Sequence, residues 1–197
     1  MISGKYYFFW GGECSQWYKA PIKIDGHTYN CNEQYMMAEK ARLFNDQDAL
    51  DAILKISNPR EQKAWGRKVK GFDQVEWEKV ARLVVYRANL AKFMQNRDLF
   101  DFIIGTKDLH IVEASPEDTI WGIGMHETHP DILDETKWKG KNWLGIAIMQ
   151  ARSDIFSMSL AFGISQEDLN EEAEEYYAKH LKKLEIEPKV EYDDRVH

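Results

Sequence analysis

The first dense apolar run is Tyr6-Tyr7-Phe8-Phe9-Trp10, closed by Gly11-Gly12. Its aromatics and glycine stop predict a short strand. Further on, Pro21-Ile22-Lys23-Ile24 and His27-Thr28-Tyr29 flank Asp25-Gly26. Both central residues of a tight turn need positive φ, which Asp-Gly supplies, so this stretch predicts a β-hairpin. From Asn30 the apolar spacing turns helical. Asn30 with Glu33 three residues on has the spacing of a capping box, Asn32 competes as the cap, and the helix runs to about Phe44. Asn45 is placed to cap a second helix, through Asp46 to about Ile56, and Pro59 opens a short one ending near Gly66. The longest helix follows Asp73, with Glu76 completing another capping box. Val80, Leu83, Val84, Leu90, Ala91 and Met94 recur along it to about Gln95.

Residues 99–104 read as a short helix stopped by Gly105, and residues 109–114 as a strand. Residues 115–141 are mostly loop, an irregular length that usually carries function or disorder. A helix is expected over residues 142–156, with Ile146, Ala147 and Met149 available for packing. A last helix, charged nearly all round, begins at Ser165 and reaches about Leu184, and the final thirteen residues read as frayed. The pattern predicts an α+β protein, predominantly α-helical, with a few short strands.

One helical face is chemically odd. Glu33, Met36, Met37, Lys40 and Phe44 lie on one stripe, with Glu33 and Lys40 nearly eclipsed and roughly 10 Å apart along the axis. A carboxylate and an amine in an apolar stripe are expensive to bury unless paired or used. Taken singly, Glu33 also reads as a capping-box residue and Lys40 as a snorkelling surface lysine. Trp121-Gly122-Ile123-Gly124 is an incomplete dinucleotide fingerprint and reads equally as a plain glycine-rich loop, with Asp118 before it as a turn acid or a pocket acid. Gly140-Lys141-Asn142 opens a helix whose start is placed either to bind phosphate or simply to be capped by Asn142. His126-Glu127-Thr128-His129 has the wrong order and spacing for a zinc protease, and no metal is expected.

Length and charge narrow the picture. The 197 residues suffice for one sizeable domain. No apolar run reaches the roughly 18–20 residues that cross a bilayer. The start lacks a basic region followed by an apolar stretch, so no signal peptide is expected. Cys14 and Cys31 cannot build a disulfide framework and read as buried structural thiols, which points to a reduced, cytoplasmic setting. The net charge of −7 sits mostly after Ser165, where 11 acids face 5 bases. A wholesale basic surface for nucleic acid is therefore absent, although Arg60, Lys63, Arg67, Lys68 and Lys70 make a local basic cluster.

The order of the short motifs carries more than any one of them. Phe8-Phe9, Cys14-Ser15-Gln16-Trp17 and Pro21-Ile22 are followed by Asn32-Glu33-Gln34-Tyr35-Met36-Met37-Ala38-Glu39-Lys40. Then come Asn58-Pro59, Gly66-Arg67, Trp77, Ala91-Lys92-Phe93, Trp121-Gly122-x-Gly124 and Gly140-Lys141-Asn142-x-Leu144-Gly145. This succession, over about residues 6–152, resembles the YbiA/NADAR family of N-glycosidases. Asn32 stands where that family usually has serine or threonine, and the segment from Met125 to Lys139 is longer, suggesting an inserted lid.

The resemblance implies a single domain over residues 1–156 and an acidic helical extension over 157–197. It implies cleavage of the C1′–N bond between a base and an ADP-ribosyl or ribosyl-phosphate group, free or carried on nucleic acid. The leading reading is removal of ADP-ribose from guanine. Hydrolysis of phosphoribosyl intermediates of riboflavin synthesis is the enzymatic alternative, and a non-catalytic ADP-ribose or NAD-binding module is the alternative of another class. Glu33 then matches the carboxylate that stabilises positive charge at C1′ and moves a proton, and Lys40 the lysine that captures C1′ as a Schiff base. Tyr35, Trp77, Trp121 and Gly122 would line the site with Met37, Phe44 and Asp118, and Arg67, Lys92 and the Asn142 helix start would bind phosphate. No cofactor, metal or membrane is implied.

Overall fold

The computed structural model describes residues 1–186. The expected frayed end therefore falls almost wholly outside the described residues. Strands β1 (Ile2–Ser3) and β2 (Tyr6–Phe9) pair antiparallel. Beside β2 runs β5 (His110–Glu113), parallel to it, with Tyr6 opposite His110 and Phe9 opposite Glu113. Both faces of this sheet are covered, which is why β2 reads as an unbroken aromatic run. Tyr7, Phe9 and Ile111 enter the main core, while Tyr6, Phe8, Val112 and Ala114 meet Ile123, Met125 and Ile132 on the other face. Strands β3 (Ile22–Ile24) and β4 (His27–Tyr29) form the expected hairpin, with Asp25 and Gly26 at φ 50° and 81°.

Among the described residues seven α-helices fill the space between the strands: α1 (Asn32–Leu43), α2 (Gln47–Lys55), α3 (Pro59–Gly66), α4 (Gln74–Gln95), α5 (Arg97–Gly105), α6 (Trp143–Ala161) and α7 (Gln166–Tyr176). Helix α1 is central and touches α2, α3 and α4, while α4 packs along α6. The expected capping box at Asn30 does not form. Cys31 takes the N-cap position without a side-chain bond, and Gln34 reaches back to accept from the Asn30 amide at 2.8 Å. The reach-back arm thus comes from Gln34, and Glu33 has no capping duty. Asp46 rather than Asn45 caps α2, while Asn58 and Asp73 cap α3 and α4.

The inward face of α4 only partly follows its aliphatic residues: Val84 is buried and Val80, Leu90 and Ala91 pack against the core. Leu83 and Met94 are exposed, while Trp77, Ala81, Val85, Ala88, Asn89 and Lys92 are buried. This helix lies between several neighbours, so small and polar residues seat it. Helix α6 runs five residues past its expected end, and Ile146 on it faces solvent. The last helix is not polar all round: Leu169, Ala173 and Leu181 are buried, and α7 docks on α5 with Arg97 paired to Glu172 and Lys107 to Glu174. Among the described residues no helix is long and apolar enough to cross a membrane.

Candidate active site

A cleft of about 780 Å³ opens where one face of α1, the start of α4, the inner face of α3 and the end of β5 converge. Glu33, Met37 and Lys40 line it from α1; Arg60, Lys63 and Arg67 from the α3 segment; Trp77 from α4; Glu113, Asp118 and Trp121 from β5 and its following loop. Five of the seven tryptophans, Trp10, Trp17, Trp77, Trp121 and Trp143, form walls. Such a mixture of aromatic surface and a few convergent polar groups is the usual make-up of a ligand site.

Glu33 sits in the first turn of α1, only 4% exposed. Its amide donates to the Gln16 carbonyl at 3.0 Å, yet its Oε1 has no hydrogen-bond partner. Burial pushes its carboxyl above the usual range, against the pull of Lys63, the Trp17 side chain and Arg67. Two turns on, Lys40 is half-buried with its Nζ 3.9 Å from the Phe72 ring centre and 5.7 Å from that of Trp77. Burial pulls the amine below its ordinary value, Glu33 opposes this and Arg67 adds to it. Desolvation thus moves both members of the pair toward neutrality. A proton passing from Lys40 to Glu33 then costs less than it would in water.

Gly66 lets α3 close on this face. A Cβ there would lie 1.9 Å from the Met37 sulfur, so any larger residue would displace the side chain between Glu33 and Lys40. Arg60, Lys63 and Arg67 fall at steps of three and four on one side of α3, and none is paired with an acid among the described residues.

The opposite wall is a clasp between the glycine-rich loop and the start of α6. Asp118 accepts from the amides of Ile120 and Trp121 at 2.9 and 2.7 Å, shaping the turn that presents Trp121. The amides of Lys141, Asn142, Trp143 and Leu144 donate to the carbonyls of Thr119, Gly122, Ile120 and Trp121. Trp121 and Trp143 meet edge to face at 5.9 Å.

Five expected site residues lie elsewhere. Tyr35, two residues after Glu33 and so on the far side of α1, is buried against Tyr29. Lys92 is fully buried, its Nζ donating to the carbonyls of Glu13 at 2.7 Å and Ser15 at 3.3 Å. It anchors the turn that carries Trp17 and offers nothing to a phosphate. Gly122 is packed so that a Cβ would lie 2.8 Å from the Glu113 carbonyl. Asn142 neither caps α6 nor faces the cleft. Its Oδ1 accepts from the Glu113 amide and its Nδ2 donates to the Ile111 carbonyl, both at 3.0 Å. The clasp takes the amides of Trp143 and Leu144, so the first two donors of that helix are already spent on loop carbonyls. Phe44, expected as a wall, packs on Phe72 instead. Residues 125–139 form no lid. Met125 and Ile132 are buried on the far face of the sheet, and Trp138 is held there by its bond to the Ile132 carbonyl.

The sequence reading missed Glu113. Strand alternation puts it on the same face as Ile111, toward the helices, and its Oε2 is buried without a partner. Burial first, then Asp118, pushes its carboxyl up to about 7, with Lys63 opposing. An acid at the end of a strand, opening a loop already suspected of function, was the available signal. No group of His, Cys, Asp and Glu among the described residues is placed to hold a metal ion.

Comparison with known proteins bears on this arrangement. The family model described as NADAR domain matches residues 8–156. Protein irg-1 of Caenorhabditis elegans is 40% identical over 131 residues, covering 66% of this chain and 62% of that protein. N-glycosidase R617 of Acanthamoeba polyphaga mimivirus is 38% identical over 167 residues, 78% of this chain and 98% of the viral protein. The NMR structure of Escherichia coli YbiA superposes with a TM-score of 0.67 at 26% identity, covering 84% of this chain and 93% of that one. The chain thus spans less than two thirds of the nematode protein and nearly all of the viral one.

Proposed function

The chain belongs to the NADAR domain family, and on that premise we propose that it is an N-glycosidase hydrolysing the C1′–N bond between a base and an ADP-ribosyl or ribosyl-phosphate group. ADP-ribose carried on guanine is the substrate we favour. The observation that carries this reading is the buried Glu33, with an unpartnered Oε1, on one cleft wall with the half-buried Lys40. Relatives named N-glycosidase YbiA and N-glycosidase R617 support it. The cleft volume and its five tryptophans support a substrate with stacking surface beyond one mononucleotide. The row of Arg60, Lys63 and Arg67 supports a diphosphate, Arg67 bringing a planar fork suited to bidentate contact. Action inside the cell is part of the proposal, since both cysteines are buried free thiols.

In this mechanism Lys40 loses its proton to Glu33 as the substrate displaces water. The neutral amine attacks C1′ while the C1′–N pair leaves with the base. The sugar ring then opens, the C1′–O4′ pair taking up a proton as the C=N bond forms, and water hydrolyses the imine to free sugar and amine. Glu33 holds that proton through the cycle and returns it to the Lys40 amine when the imine is hydrolysed.

The test is base release from an ADP-ribosylated guanine oligonucleotide and from a pyrimidine phosphoriboside, with borohydride added to trap the imine. We expect guanine release and a sugar-phosphate adduct on the Lys40 peptide. Lys40→Arg should be as inactive as Lys40→Ala, because guanidinium stays charged at working pH. Active Lys40→Arg with no adduct in the wild type would remove the covalent route. Turnover of the pyrimidine substrate alone would favour the second reading. That reading draws on a 32% identical stretch of the maize riboflavin biosynthesis protein PYRR, of which this chain spans 20%. Ligand binding without turnover would leave a binding module.

A further inference from the structure

We propose that Glu113 is a second catalytic acid, the carboxyl that hands a proton to the departing base. This rests on the N-glycosidase reading. Glu113 is fixed from both sides of its backbone: its amide donates to Asn142 Oδ1 at 3.0 Å, and its carbonyl accepts from the Ile123 amide at 3.0 Å. Its side chain enters the cleft and leaves Oε2 buried without a partner. Folding does not favour such a group, since a buried carboxyl oxygen without a bond forfeits its hydration for nothing. Two of them, Glu33 Oε1 and Glu113 Oε2, line one cleft.

Their surroundings divide the work. Glu33 is the acid whose charge acts on Lys40. Glu113 lies among Asp118 from the clasp loop, Lys63 from α3 and Glu33 from α1, beside the Trp121 wall. With two neighbouring acids and one cation its environment favours the neutral carboxyl, a state able to donate at neutral pH. Two acids whose surroundings differ in this way are the usual sign of separate roles.

The protons balance. As the Lys40 Nζ–C1′ bond forms, the C1′–N pair moves onto the base, whose nitrogen takes the Glu113 proton. Glu113 is left as carboxylate. When water adds to the imine, its oxygen stays on C1′ and its proton returns to Glu113. The net reaction places OH on the sugar and H on the base.

The experiment compares leaving groups. Wild type and Glu113→Gln are assayed on the ADP-ribosylated guanine oligonucleotide and on the ADP-ribosyl glycoside of 4-nitrophenol, whose phenolate departs without a proton. A general acid contributes about 10²–10⁴ in rate, so we expect kcat on guanine to fall by at least about 10² and on the nitrophenyl glycoside by less than about tenfold. The wild-type guanine rate should decline as pH rises through about 7, and that limb should vanish in Glu113→Gln. ADP-ribose binding and the melting temperature report whether the variant folds. If it does not, Glu113→Asp carries the test, since it keeps the proton but withdraws it by one methylene and should slow guanine release selectively. Equal losses on both substrates, or a limb that persists without the carboxyl, would overturn the proposal. An active wild type with an equally active Glu113→Gln defeats this inference alone. A wild type that turns over neither substrate defeats the glycosidase reading and this inference with it.

Discussion

Replacing Asn142 separates a structural clamp from a phosphate site. Asn142 is buried, sits at φ 50° in left-handed backbone, and bridges the Glu113 amide and the Ile111 carbonyl. Asn142→Ala leaves both backbone groups without partners, at about 1–3 kcal/mol each. Alanine in left-handed backbone adds about 1 kcal/mol, for a loss of about 3–7 kcal/mol in total. Asn142→Gly loses the same bonds but adopts the backbone freely, so it should be about 1 kcal/mol less damaging than alanine. Urea unfolding followed by tryptophan fluorescence measures both, and an unchanged m value would confirm that the unfolded state is comparable. For a chain of this size the alanine variant should melt about 10 °C lower. A site that held phosphate would behave oppositely, with ADP-ribose affinity reduced and stability nearly intact. An alanine variant within about 1 kcal/mol of wild type would refute the clamp.

Three further outcomes are expected. Glu113→Gln should be more stable than wild type at pH 8 and indistinguishable near pH 4.5. The folded carboxyl titrates at about 7 against 4.5, so the native state binds the extra proton between those values and wild-type stability falls as pH rises through them. Matched melting curves across that range check it. Deletion from Ser165 should lower the melting temperature, because Leu169, Ala173 and Leu181 lose their burial, yet leave substantial base release, since none of the described residues it removes lines the cleft. Cys14 and Cys31, buried and pushed up to about 12 and about 11, should stay unreactive to a disulfide reagent at pH 8 until the protein is unfolded.

Features set by neighbouring residues were legible in the sequence. The Asp25-Gly26 hairpin, the Pro59 helix and the Asp73 cap depend on local backbone chemistry, and each formed as expected. The stripe carrying Glu33 and Lys40 also needed only helical geometry. What the chain hid was decided at long range. The parallel pairing of β2 with β5 joins segments about a hundred residues apart and has no local signature. Lys92 is expected at a phosphate because nothing near it in sequence reveals the two carbonyls it meets inside the core. Asn142 resembles a cap for the same reason: its partners lie on β5, not in its own helix. Glu113 stayed hidden because one acid in a four-residue strand carries no periodic signal.

The clasp between residues 119–123 and 139–144 has a dynamic meaning. Because successive amides at the head of α6 are spent on loop carbonyls, peeling the loop away requires unwinding that helix start as well. Loop and helix therefore open together or not at all, as one cooperative unit with slow amide exchange. The Trp121–Trp143 wall is accordingly stiff before any ligand arrives. Selection at that wall operates by steric fit to a ready-made surface, so the ordering entropy a closing flap would spend at each encounter has already been settled during folding.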